Sequence, residues 1–157
     1  MSATHTELYF HALFAVRDRK PLISKRMRVP LYTYINYLFR LDEQHLIAIN
    51  GAADHLHLLF RTSPTKAIAD LMRDVKALSS RYVNDNGLCS KPFYWERGYG
   101  AFSCSHAQVP RIRKMIEQQD TYHQHKTFHD EYLELMGELN IDFTRTSILN
   151  WFNVINR

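Results

Sequence analysis

The sequence offers little for covalent or thiolate stapling: its 157 residues include two cysteines, Cys89 and Cys104, and no C-x-x-C pair. A cysteine zinc site and a disulfide framework are excluded, and two reduced thiols in a cytoplasmic protein are expected. Five glycines and five prolines are too few for a fibrous or low-complexity chain. No apolar run approaches the roughly 20 residues of a spanning helix. The opening MSATHTELYF also lacks the basic-then-apolar order of a signal peptide. Neither a membrane partner nor secretion is expected.

What is present suffices for a core. Hydrophobic residues make up 45% of the chain and aromatics 13%, which argues against disorder. The length fits one domain, 1–157, with a core of about 7–139 and a tail, 140–157, that no pattern resolves. A net charge of +4 is compatible with a nucleic-acid partner without establishing one.

Alternation over Glu7 to Arg17 predicts a long central strand, with Leu8, Phe10, Ala12, Phe14 and Val16 on one face. Ser24 reads as the N-cap of a helix that reaches about Arg40. His45–Asn50 and His55–Arg61 read as a hairpin, and Ser63-Pro64 as the opening of a second helix through Tyr82. Phe93–Glu96 and Tyr99–Ser103 are expected as short strands. Ser105 with Gln108 resembles a capping box for a helix running to about Gln124, and Thr127 with Asp130 caps a last helix through Leu139. The order β-α-β-β-α-β indicates an α+β, ferredoxin-like (RRM-like) split βαβ. Its antiparallel sheet carries helices on one face, with C-terminal helices added.

The sharpest chemical feature is Asp54-His55-Leu56-His57-Leu58. On a strand, positions i and i+2 share a face with Cα atoms about 7 Å apart, so both imidazoles can converge on one divalent ion. Leu59 stands where binuclear H-x-H-x-D-H hydrolases need aspartate, so that class is excluded. His11 and His45 read as sheet residues making ordinary hydrogen bonds. His123, His125 and His129 read as solvent or phosphate contacts.

The blocks LIAINGAADHLHLLF, LMRDVKALSSRYVND, FYWERGYGAFSCSHAQV, RKMIEQQ and KTFHDEYLELM occur in this order from residue 46 to residue 136. In these blocks the chain resembles the single-tyrosine HUH transposases of the insertion-sequence 200/605 family. The resemblance implies single-stranded DNA bearing a hairpin as the partner, a homodimer with shared active sites, and Mg²⁺ or Mn²⁺ as the cofactor. His55 and His57 map onto the histidine pair. In the family's Tyr-Ile-x-x-Gln helix motif, Gln119 takes the place of the third metal ligand. The implied reaction is transposition: tyrosine attacks phosphorus, leaving a 5′-phosphotyrosine and a 3′-hydroxyl able to reverse the step.

This chain departs from the motif at the nucleophile, where Met115 stands. A thioether has no ionisable proton, so nicking is expected to be deficient. Tyr122, two helical turns on, is the candidate substitute. Arg73, Lys76, Ser80, Arg97, Arg111 and Lys114 are expected at the DNA backbone, and Trp95 against a base. Two alternatives stay open: a domesticated module that binds DNA or RNA hairpins without catalysis, and a metal-dependent phosphodiesterase that uses water.

Overall fold

The computed structural model describes residues 3–122 and 127–139. Four strands, β1 (Tyr9–Ala15), β2 (His45–Gly51), β3 (His55–Arg61) and β4 (Gly100–Cys104), form one antiparallel sheet in the order β2-β3-β1-β4. With helices α1 (Lys25–Leu41) and α2 (Ile68–Asp85) as the crossovers, this is the ferredoxin-like arrangement that the order of elements predicts. Beyond β4 come α3 (Val109–Glu117), the one-turn α4 (Gln119–Tyr122) and α5 (Phe128–Glu138).

Alternation along the strands divides the interior into two layers. Ala12, Phe14 and Val16 of β1 and its exit join Leu56, Leu58 and Phe60 of β3 against α1 and α2. Leu31, Ile35 and Phe39 of α1, with Met72 and Val75 of α2, close that layer at no more than 1% exposure each. On the opposite face, Leu13 and Ala15 meet Tyr132 and Met136 of α5, and Leu59 with Ala48 meets Ile116 of α3. Helices therefore cover both faces. Among the described residues no helix is long and apolar enough to cross a membrane.

Three local expectations change. Phe93–Glu96 is not a ladder strand: only Trp95 bridges Val16. The Asn84 side chain accepts from Phe93 N and donates to Phe93 O, both at 2.8 Å, so a side chain satisfies backbone that a neighbouring strand would otherwise hold. The second helix begins at Ile68 rather than at Ser63-Pro64. Residues there turn instead, with Ser63 N donating to Gln44 Oε1 and the Ser63 hydroxyl bonded to Thr65.

The helix expected to run to about Gln124 breaks at Gln118 (φ −97°, ψ 18°). Asn50 Nδ2 donates to the Glu117 carbonyl, and Arg28 grips Asp120 at 2.7 Å, so the chain is held on both sides of the break. His123, His125 and the tail 140–157 lie outside the described residues.

Candidate metal centre and nucleic-acid surface

His55 and His57 leave the face of β3 that α1 and α2 do not cover, and both are buried, at 0% and 1% exposure. Their rings lie edge to face, with centroids 5.1 Å apart. Glu131 of α5 sits over them: its carboxylate oxygens lie 3.3 Å from His55 Nε2 and 2.9 Å from His57 Nε2. One ligand atom from each of the three lies within 4.8 Å of the others. Two imidazole nitrogens and a carboxylate oxygen are a donor set that suits Mn²⁺ better than Mg²⁺, which prefers oxygen alone.

Each group has a second partner behind it. His55 Nδ1 is 2.7 Å from Asp54 Oδ1. Burial works against the His55 imidazolium, but hydrogen bonds to Asp54 and Glu131 outweigh it and hold the pKa above its ordinary value. His57 Nδ1 is 2.8 Å from His11 Nε2, and the two rings lie 25° from coplanar. Burial, with His57 adding and Glu131 opposing, lowers the His11 pKa to about 3 and keeps that ring neutral.

Gln119 is fully buried beside the pair, where the break at Gln118 turns it inward. Its Nε2 donates to Glu131 Oε1 at 2.9 Å. Gln119 thus reaches the centre through the carboxylate that joins the histidines. Met115 lines a small cavity together with His57, Glu131, Glu134, Leu135 and Glu138. It also lines a larger one, of about 260 Å³, whose wall includes His11. Among the described residues no tyrosine lines either cavity. Tyr132, next in sequence to the carboxylate, packs against Phe102, and burial pushes its hydroxyl pKa well up. The side chain of Tyr122 lies outside the described residues.

The residues expected at DNA separate into two groups. Arg73, Lys76, Ser80, Trp95 and Arg97 line one open cavity of about 420 Å³, together with Arg17, Tyr94 and Tyr99. Arg17 lies over the Tyr94 ring at 5.0 Å, presenting an exposed aromatic surface with a cation on it. Lys76 Nζ donates to the Glu96 and Gly98 carbonyls at 2.7 and 2.6 Å, which clamps the loop before β4. Burial lowers its pKa to about 8, with Glu96 opposing. Trp95 is buried against Phe14 and Phe93 and donates from Nε1 to Ser79 Oγ, so its ring serves the core first. Arg111 and Lys114 lie on α3, across the sheet, where Arg111 is 3.3 Å from Glu138. His129 is half-exposed, 3.8 Å from Asp130.

Two residues at the centre escape motif reading. Glu131 lies four residues before Leu135, an acid at a position that helical spacing assigns to the packed side. His11 interrupts an otherwise apolar strand; its role depends on β1 and β3 being neighbours, which places His11 diagonally from His57 on one face. The helix carrying Met115, which a homodimer with shared active sites would offer to a second subunit, packs in the described chain on its own sheet.

A family model described as IS200-like transposase matches residues 4–119. An inferred transposase from Deinococcus radiodurans R1 superposes with a TM-score of 0.62 at 20% identity, covering 76% of this chain and 95% of that one. A REP-associated tyrosine transposase bound to a REP hairpin superposes with a TM-score of 0.58 at 14% identity, covering 78% of this chain and 74% of its own. Both likenesses concern the fold. No curated protein matches the sequence at significance.

Proposed function

The chain belongs to the IS200-like transposase family, and from that premise we propose that it is a metal-binding, hairpin-DNA-binding member deficient in strand cleavage because Met115 occupies the nucleophile's place. One observation carries this reading. Met115 shares the small cavity with His57 and Glu131, so the α3 side chain that lines this cavity beside the candidate ligands is a thioether.

The residues fit a divalent ion. His55 and His57 would hold it through nitrogen and Glu131 through oxygen, with Gln119 either fixing that carboxylate or joining it. Such an ion supplies charge stabilisation to a phosphodiester during in-line displacement. Asp54 and His11 hold the two imidazoles from behind, and Asn50 and Arg28 set the α3–α4 turn that delivers Gln119. Burial of His11, His55, His57, Gln119 and Glu131 removes competing water.

Single-stranded DNA carrying a hairpin is the proposed partner, as in the REP-hairpin complex of the structural neighbour. Arg17, Arg73, Arg97 and Tyr94 offer cations and an aromatic face around one open cavity. Arg111 and Lys114 offer a second basic surface on α3. The family's homodimer is part of the proposal. The three candidate ligands come from a single chain, so holding the ion does not by itself call for the partner subunit.

The test is a nicking assay on single-stranded hairpin DNA with Mn²⁺. The unchanged protein binds the DNA with strongly salt-dependent affinity and forms no covalent adduct. Met115→Tyr forms an adduct that survives boiling in detergent. An adduct in the unchanged protein that vanishes in Tyr122→Phe would transfer the role to Tyr122. A Met115→Tyr chain that binds metal and DNA but forms no adduct would leave a binding module.

A further inference from the structure

A histidine that no motif singles out stands behind one of the two candidate ligands. His11 is 2% exposed, lies diagonally from His57 across the β1–β3 pair, and places Nε2 2.8 Å from His57 Nδ1. The partner of a metal-bound imidazole commonly decides which nitrogen faces the ion, and that partner is usually a carboxylate or a carbonyl. His55 has such a carboxylate in Asp54. His57 has a neutral imidazole instead.

We propose that His11 is the positioning residue of His57, holding the ring through Nδ1 so that Nε2 is aimed at Glu131 and at an ion beside it. The inference rests on the metal-binding reading above.

Protons explain why an imidazole suits this place. The N···N contact contains one proton. If His11 donates it from Nε2, His57 accepts at Nδ1 and carries its own proton on Nε2, 2.9 Å from the Glu131 carboxylate. This satisfies the metal-free centre. If the tautomers of both rings reverse, His57 donates from Nδ1 to His11 Nε2 and presents a lone pair at its own Nε2. This satisfies the metal-bound centre. Each arrangement holds one proton on each ring. The proton that leaves His57 Nε2 passes to the Glu131 carboxylate or to solvent, and the one that reaches His11 Nδ1 is drawn from solvent. The count on the pair is unchanged. A carboxylate in His11's place could only accept, and would fix one of the two states. The two rings lie 25° from coplanar with centroids 5.1 Å apart, which keeps the contact in line through the change.

The experiment uses the full chain with ¹⁵N-labelled histidine. Through-bond nitrogen spectra show His57 protonated at Nε2 without metal and at Nδ1 when Zn²⁺ is added as a diamagnetic probe. A scalar coupling across the hydrogen bond links His57 Nδ1 to His11 Nε2. Mn²⁺ titration by calorimetry gives the second readout. His11→Phe, which keeps the ring and loses the bond, weakens Mn²⁺ roughly 10- to 100-fold and leaves the His57 tautomers mixed. His11→Gln, whose amide reaches the place of Nε2 and can donate or accept, stays within about threefold of the unchanged protein. A missing coupling in the unchanged chain would overturn the proposal without any variant. So would His11→Phe with unaltered Mn²⁺ affinity and unaltered His57 signals. If the unchanged protein bound no metal while the coupling was present, the metal reading would fall and the positioning contact would stand.

Discussion

On β3, Leu56, Leu58 and Phe60 meet α1 and α2, whereas His55 and His57, on the same seven residues, face Gln119 and Glu131. The two sides of the strand are equally buried and chemically opposite. The first is held by apolar area, which is tolerant of small shifts in neighbouring atoms. The second is held by directed contacts of 2.7 to 2.9 Å among groups that are costly to bury unless each finds its partner. One side carries stability and the other the candidate metal centre.

The largest expected effect is on the apolar side. Phe60→Ala removes a ring packed against Phe39 at 5.2 Å and should cost roughly 3–5 kcal/mol in urea unfolding. Its Mn²⁺ affinity should stay close to that of the unchanged protein while the chain is folded. A large loss of metal affinity would show that the two layers are coupled.

A smaller effect is expected on the polar side, and it depends on the ion. Mn²⁺ at a hundred times its dissociation constant should stabilise the chain by about 2.7 kcal/mol, read as a rise in melting temperature. The rise should vanish in His55→Ala/His57→Ala and shrink in Glu131→Ala. An equal rise in the double variant would place the ion elsewhere.

The smallest effect belongs to Lys76, outside both layers. Its folded pKa of about 8 lies below the ordinary 10.5, so under pH 8 the ammonium is charged in the folded and unfolded chains alike. Between about 8 and 10.5 the unfolded chain binds the additional proton, so stability rises with pH through that window. Urea midpoints should drift upward there and lose that contribution in Lys76→Met. A downward drift assignable to Lys76 would contradict the burial of its ammonium.

The apolar side was legible in the sequence because alternation and helical spacing are local signals. Phe14, Leu58, Ile35 and Val75 could be assigned to a core from their neighbours in the chain alone. The order of elements along the chain and the shared face of the H-x-H pair followed from the same periodicity. The polar side was legible only in part, because its parts are brought together by tertiary contact. His11 reads as an ordinary strand residue until β1 lies beside β3. Glu131 reads as one acid among several on an amphipathic helix until α5 lies over the histidines. Gln119 was identified by motif, but its bond to Glu131 depends on the break at Gln118, which the helical pattern through residues 110–124 does not announce. Phe93–Glu96 carries a strand-like composition, yet Asn84 satisfies the backbone of Phe93 from a distance that composition does not encode.

The placement of Glu131 on α5 also orders events in time. The family model ends at residue 119, so the carboxylate belongs to a part of the chain beyond the matched segment. During synthesis both histidines leave the ribosome well before Glu131 does. A chain that stops short of Thr127 holds all four strands, yet it presents the two imidazoles without the Glu131 carboxylate. The strands are therefore made before the candidate metal centre can be assembled, and α5 decides whether the histidines meet their third candidate ligand.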